Sequence, residues 1–248
     1  MPDDEASGAH VRIATLEEIE EVAAMLQRAF IASPVQAYFS NAKAPLTTHT
    51  KDAKRRAHQT KYIQFLFRRS LSLGGRLTVV IAATENRPAR IAGAAIWRPP
   101  GYKKPPSLLA SLRMGLLSVI MGWGTGVMAR ISDFAHPIED ALESSYAERK
   151  LPGTPEDSSW YLQLTGVDPE FQGKGFLSML LQEAFQHAPN AVFTLEANTP
   201  RARDVYKRYG FEVVGEVIIG KGKVDALGVA SSGTAATGFP MYPMIKVP

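Results

Sequence analysis

The stretch "WYLQLTGVDPEFQGKGFLSMLLQEAFQHAPNAVFTLEA", Trp160 to Ala197, constrains the fold more than any other. A strand is followed by a polar turn carrying two glycines, then by an amphipathic segment, then by a second strand. From Phe176 to His187 the residues Leu177, Leu180, Leu181, Ala184 and Phe185 recur at helical spacing. Two strands joined by a crossover helix run parallel, and such a pair places a ligand at the carboxyl ends of its strands. The turn "QGKGFLS", Gln172 to Ser178, opens straight onto the helix. Its backbone N–H groups and the positive end of the helix dipole suit a phosphate or another anion.

The flanking sequence is mixed α/β rather than a long series of strand–helix units. "VRIATLEEIEEVAAMLQRAF" reads as a strand at Val11–Ala14, a capping box of Thr15 with Glu18, and a helix with Ile19, Val22, Leu26 and Ala29 on one face. A second helix is expected from Lys51 to Leu73, ending at Gly74-Gly75. "RLTVVIAAT" and "RIAGAAIW" predict an antiparallel hairpin, followed by a proline-broken loop from Arg98 to Pro106. Residues 107–150 read as helical, with breaks at the Gly122–Gly126 cluster and around Pro137, and "LPGTPEDSS" as a loop. Beyond Ala197, a helix with proline in its first turn covers Pro200–Tyr209 and Gly210 stops it. "FEVVGEVII" is expected as one strand, "MYPMIKV" as the last, and Gly228–Gly238 as a flexible hairpin tip.

Composition sets limits on the chemistry. The 248 residues, 45% hydrophobic and 21% charged, can bury a sizeable core as one large domain or two small ones. There is no cysteine, which excludes disulfides, thiolate metal sites and a cysteine nucleophile. The five histidines show no metal-ligand spacing, so no metal is expected. A net charge of +4 is too small for a dedicated nucleic-acid binder, and the basic run from Lys51 to Arg69 reads as the solvated face of a helix. The uncharged stretch Gly115–Ala129 is 15 residues long, short of a membrane span. With no apolar segment near the first residue, a cytoplasmic protein without a membrane partner is expected.

Three phosphate-binding patterns compete for the turn. A P-loop needs G-x-x-x-x-G-K-[ST], which is absent. Gly173 and Gly175 begin a dinucleotide fingerprint and Glu196 ends the next strand, yet Ser178 replaces the third glycine and "DPEFQ" intervenes before the first. "VDPEFQGKGFLSMLL" instead resembles the acyl-coenzyme A pyrophosphate loop of the GNAT superfamily of N-acetyltransferases, with Gln172 and Gly175 on its pattern and Leu177 where glycine or alanine is usual. "LEANTPRARDVYKRYGFEVVGE" resembles the next strand and helix of that family, with Asn198, Tyr206, Gly210 and Phe211 in register. The order of elements is most similar to the small-molecule branch typified by puromycin N-acetyltransferase.

The resemblance implies a single domain over residues 1–248 with a GNAT fold. In such a fold a mostly antiparallel twisted sheet, flanked by helices, carries a splayed parallel strand pair that binds acyl-coenzyme A, and residues 107–150 form a helical insertion lidding the acceptor side. It implies acetyl-coenzyme A as cosubstrate and a small amine as acceptor, of antibiotic or xenobiotic type, for a monomer or homodimer; with no cysteine in the chain, direct attack in a ternary complex is expected rather than a covalent acetyl-enzyme. The pyrophosphate would lie on Gln172, Gly173, Lys174, Gly175, Phe176, Leu177 and Ser178, and the pantetheine arm on Thr165, Gly166, Val167 and Asn198. Tyr206 would bind at the sulfur and act as general acid, its ordinary pKa near 10 keeping it protonated.

The general base stays open, because "WYLQLTGV" holds no carboxylate. Glu196 is the nearest candidate; Glu85, His136 and Glu143 follow, and a water chain would also serve. Trp97, Tyr102 and Trp123 are expected to line a wide apolar acceptor slot. A protein N-terminus or lysine as acceptor, and a non-catalytic acyl-coenzyme A sensor, are the alternatives.

Overall fold

The run "IAGAAIW", Ile91 to Trp97, is apolar without alternation, and every residue of it is buried. That pattern belongs to a central strand covered by helices on both faces. The computed structural model describes residues 8–84, 87–101 and 106–248. Among these, eight strands build one sheet: β1 (His10–Ile13), β2 (Arg76–Thr84), β3 (Arg87–Arg98), β4 (Ser159–Val167), β5 (Val192–Ala197), β6 (Glu212–Val213), β7 (Val217–Ile219) and β8 (Phe239–Lys246). Their order is β1-β2-β3-β4-β5-β8-β6, with β7 also on β8. Every pairing is antiparallel except β4 with β5. This is the mixed α/β sheet with one parallel pair that the sequence predicts.

One face of the sheet is covered by α1 (Ile19–Ala29), α3 (Ala53–Ser72), α5 (Leu116–Trp123) and α6 (Val127–Glu148), whose Val22, Leu26, Ile63, Trp123 and Phe134 share a core with Ile91, Ala94 and Ile96 of β3. The opposite face is covered by α8 (Phe176–His187) and α9 (Pro200–Lys207), whose Leu180, Leu181 and Tyr206 pack with Ala95, Trp97 and Leu162. Each fully buried leucine there contributes roughly 1.5–3 kcal/mol of transfer free energy. The entry to α1 follows its sequence signal: the Thr15 N–H donates to Glu18 Oε2 at 2.8 Å. Arg12, hydrogen-bonded to the same carboxylate, is the main reason its pKa falls to about 2.

Several expectations are corrected. Trp97 and Trp123 cannot line one slot, because neighbouring residues of β3 point to opposite faces: Trp97 lies under α8 against Phe193, whereas Trp123 stacks on Tyr62 on the α3 side. Tyr102 and Glu85 lie outside the described residues. Pro137 does not interrupt α6, since buried Phe134, Ile138 and Leu142 hold both halves on the same core and tertiary packing overrides local propensity. "FEVVGEVII" is not one strand but β6 and β7, which pair with different parts of β8. Within "LPGTPEDSS" a short helix α7 (Pro155–Ser158) is capped by Thr154. Too short to show periodicity in the sequence, α2 (Pro34–Phe39) is capped by Ser33, and α4 (Leu108–Met114) begins the helical insertion. The Gly228–Gly238 segment is pinned rather than free: Ala230 N–H donates to Ala42 O at 2.8 Å and Ser231 N–H to Lys223 O at 3.0 Å. No described helix is long and apolar enough to cross a membrane.

Candidate active site

β4 and β5 pair over only three residues, Ser159 with Val192, Trp160 with Phe193 and Tyr161 with Thr194. Beyond that point β4 stays with β3 through Val167 and β5 stays with β8 through Ala197, so the two strands part towards their carboxyl ends. Asp168 N–H donates to Ala92 O at 2.8 Å. By the alternation of an antiparallel ladder, Thr165 and Val167 therefore turn their backbone groups towards the opening while Gly166 turns to β3. Val167 O already accepts from Gln172 Nε2 at 3.3 Å, which ties the loop to the strand end. Gly166 is required by close packing on α1: a Cβ there would fall 2.7 Å from Leu26 Cδ2 and 3.1 Å from Phe30 Cε2.

The turn after β4 is held from below and open above. Asp168 is buried; it accepts from Arg28 Nη2 at 2.5 Å and Nε at 3.1 Å, and from Glu170 N–H at 3.2 Å. Phe171 is buried against Phe176, and the cations of Arg90 and Lys174 lie over its ring at 5.1 and 5.4 Å. Gly173 and Gly175 have φ of +81° and +77°, and a Cβ at either would meet nothing within 4 Å. Both positions thus need glycine for backbone conformation while the space above them is clear. Gly175 caps α8 with no side-chain bond, leaving the first-turn N–H groups of Phe176, Leu177 and Ser178 facing that space. Leu177 is half-buried on the core beneath α8, so the larger residue at the usual glycine or alanine place is absorbed by packing. These features fit a pyrophosphate-bearing ligand whose arm runs into the strand opening.

At the apex of the opening stands Glu196. Its carboxyl oxygens lie 2.6 and 2.7 Å from the Tyr161 hydroxyl, which donates to them. Tyr161 is the last β4 residue paired to β5, and Arg98 lies over its ring at 4.4 Å. Burial raises the Glu196 pKa to about 7, against the lowering pull of the Tyr161 hydrogen bond and the Arg98 charge; Glu139 of α6 raises it further. Burial, together with the Glu196 charge, also pushes the Tyr161 phenol well up. His136 and Glu143, the other acidic or basic candidates on α6, are exposed, and His136 Nε2 is 3.4 Å from Ser132 Oγ.

Tyr206 sits on α9, buried, edge-on to Phe211 at 5.8 Å between centroids. Burial first, and the Glu196 charge second, raise its pKa, so it stays protonated at any physiological pH. Its hydroxyl has no hydrogen-bond partner among the described residues. Asn198, half-buried, follows β5 directly, and the cap of α9 is supplied instead by Thr199, whose Oγ1 accepts from Ala202 N–H at 3.1 Å. The structure thus gathers Thr165–Val167, Gln172–Ser178, Glu196 and Asn198 around one strand opening, with Tyr206 on the helix that follows. Tyr161, Arg98 and Asp168 are the polar side chains that sequence reading left without a role. For Tyr161, the signal lay in the parallel register, which local sequence does not express.

The mixed sheet, with parallel strands that part above a glycine turn and an uncapped helix, is the arrangement that the resemblance to GNAT acetyltransferases implies. Residues 152–224 match the family model described as "Acetyltransferase (GNAT) domain", which supports an acetyl-transferring enzyme. Solved structures share the fold along almost the whole chain. A histone acetyltransferase HPA2 and related acetyltransferase from Corynebacterium glutamicum is 18% identical, with TM-score 0.59, covering 97% of this chain and 96% of its own. Arylalkylamine N-acetyltransferase 2 from Aedes aegypti is 16% identical at TM-score 0.56, covering 97% and 99%. The polyamine N-acetyltransferase of Drosophila melanogaster is 14% identical at TM-score 0.54, covering 97% and 100%.

Proposed function

We propose that the protein is a single-domain enzyme over residues 1–248 that transfers the acetyl group of acetyl-coenzyme A to the primary amine of a small molecule, by direct attack in a ternary complex. The observation that carries this reading is the Glu196 carboxyl at the apex of the strand opening, raised to about 7 and hydrogen-bonded by Tyr161. A base poised near the working pH is what removal of an ammonium proton requires. Bound acetyl-coenzyme A supplies the thioester. The N–H groups from Gly173 to Ser178 hold its pyrophosphate, with Gln172 and Lys174 at the rim. Backbone of Thr165 to Val167, with Asn198, lines the pantetheine arm, and fixed N–H donors there favour charge developing on the carbonyl oxygen. Glu196 accepts the proton of the attacking amine, and Tyr206 delivers one to the departing sulfur. Arg98 keeps the ionised Glu196 tolerable by charge.

The small-molecule acceptor is supported by the insertion. Residues 107–150 place α5 and α6 over the Glu196 face of the sheet and act as the acceptor-side wall. The motives for a non-catalytic sensor lose weight here: Leu177 packs into the core, and Glu196 provides the carboxylate that β4 lacks. The test is thiol release from acetyl-coenzyme A with and without a panel of small amines and lysine peptides. Release that depends on small amines and falls at least 100-fold in Glu196→Gln supports the reading. Release confined to peptides, or none with any acceptor, overturns it.

A further inference from the structure

A cavity of about 450 Å³ lies beside this site, between the segment 31–46, the start of α3, the end of α5 and Leu227 of the β7–β8 connection. None of its lining residues belongs to that site; two of them connect to it through one intervening residue each. Trp123 lines it and stacks at 4.4 Å on Tyr62, whose phenol feels the Glu196 charge. Gln59 lines it and donates to Phe30 O at 2.9 Å, and the Phe30 ring packs on Gly166. Its walls are largely apolar, from Ile31, Leu46, Trp123 and Leu227.

The charge of the lining is one-sided. Lys43, Arg55 and His58 border the cavity, and no carboxylate among the described residues does. Arg55 is already engaged by Asp52 Oδ1 at 2.9 Å and by the Ala44 carbonyl at 2.6 Å. Burial first, then the neighbouring Lys54 and Lys61, lower the His58 pKa and so disfavour its charged form. Two polar atoms of lining residues are left over: Gln36 Oε1, on a residue 6% exposed, and His58 Nδ1 are both buried without a hydrogen-bond partner. An unpaired buried acceptor is costly unless something donates to it.

We infer that this cavity receives the body of the acceptor amine, and that the body is uncharged and apolar or aromatic. A second cationic group, as in a diamine or a guanidinium-bearing amine, finds no counter-charge there and meets Lys43 and Arg55 instead. The inference rests on the acetyl-transfer reading above and narrows its substrate class. Ala32, exposed at the cavity wall, offers a blocking position outside the core.

The experiment compares phenethylamine carrying a ring hydroxyl with agmatine in the wild type, Ala32→Phe and Gln36→Glu, reading KM for amine and for acetyl-coenzyme A separately. The expected result is a KM at least tenfold lower for the aromatic amine. Ala32→Phe raises that KM at least tenfold with KM for acetyl-coenzyme A unmoved, and Gln36→Glu shifts preference towards agmatine. An unmoved KM for the coenzyme also certifies that the variants fold. A wild-type preference for agmatine overturns the substrate class. Variant KM values within twofold of wild type overturn the cavity assignment while leaving acetyl transfer standing. If no amine supports thiol release, quenching of tryptophan fluorescence by the aromatic amine, lost in Trp123→Phe, still supports binding in the cavity; absence of quenching overturns it.

Discussion

The Tyr161 hydroxyl stands 2.6 and 2.7 Å from the two oxygens of Glu196, across the point at which β4 and β5 stop pairing. Tyr161 pairs with Thr194, two residues before Glu196, so both side chains fall on one face of the sheet. The contact closes the apex of the strand opening and sets the charge balance of its carboxyl.

Glu196→Gln keeps an acceptor for the Tyr161 hydroxyl and removes the base. Wild-type kcat/KM rises with pH through about 7 as Glu196 ionises, and the variant loses this limb together with at least 100-fold in rate. The stability effect has the opposite sense. A carboxyl raised from 4.5 to about 7 binds its proton more tightly when folded. Its stabilising effect is therefore complete below 4.5 and is lost as pH rises through about 7, a span of roughly 3 kcal/mol before other contacts offset it. Thermal melts at pH 5 and pH 8 should show wild type losing more stability than the variant over that interval.

Tyr161→Phe removes a donor that lowers the Glu196 pKa. The acid limb of the rate profile should move up by about one unit, given about 1.5 kcal/mol for a hydrogen bond to a charged group. A profile that stays in place would show that the hydroxyl does not govern the base.

Tyr206→Phe should lower kcat about 100-fold, the scale of general-acid catalysis, with little change in KM for acetyl-coenzyme A. Because the hydroxyl has no partner among the described residues, the melting temperature should move by no more than a degree or so. Single-turnover kinetics separates loss of chemistry from slow product release.

Asp168→Asn weakens the tie from the glycine turn to Arg28 of α1. Loss of a buried charged hydrogen-bond acceptor is expected to cost about 1–3 kcal/mol of stability. Since the turn presents the pyrophosphate-binding N–H groups, KM for acetyl-coenzyme A should rise severalfold more than KM for the amine. Denaturant unfolding and steady-state kinetics check the two halves.

The strand–turn–helix from Trp160 to His187 was legible because its signals are local: helical spacing on α8, glycine where φ must be positive, apolar runs for buried strands. The hairpin of β2 and β3, helices α1 and α3, and the helical character of 107–150 were legible on the same grounds. Pro137 misled, because its propensity is local whereas the packing of Phe134 and Leu142 that overrides it is not. Trp97 misled for a related reason: an apolar strand buried on both faces does not announce which face each residue takes.

Local sequence is enough to specify the parallel pair, the anion-binding turn above α8 and the set of residues that could serve there. Tertiary structure alone decided which of them meet. The register of β4 on β5, where β4 ends its pairing, and the Tyr161 contact to buried Glu196 join residues 33 to 35 positions apart, and no short window of sequence carries that information.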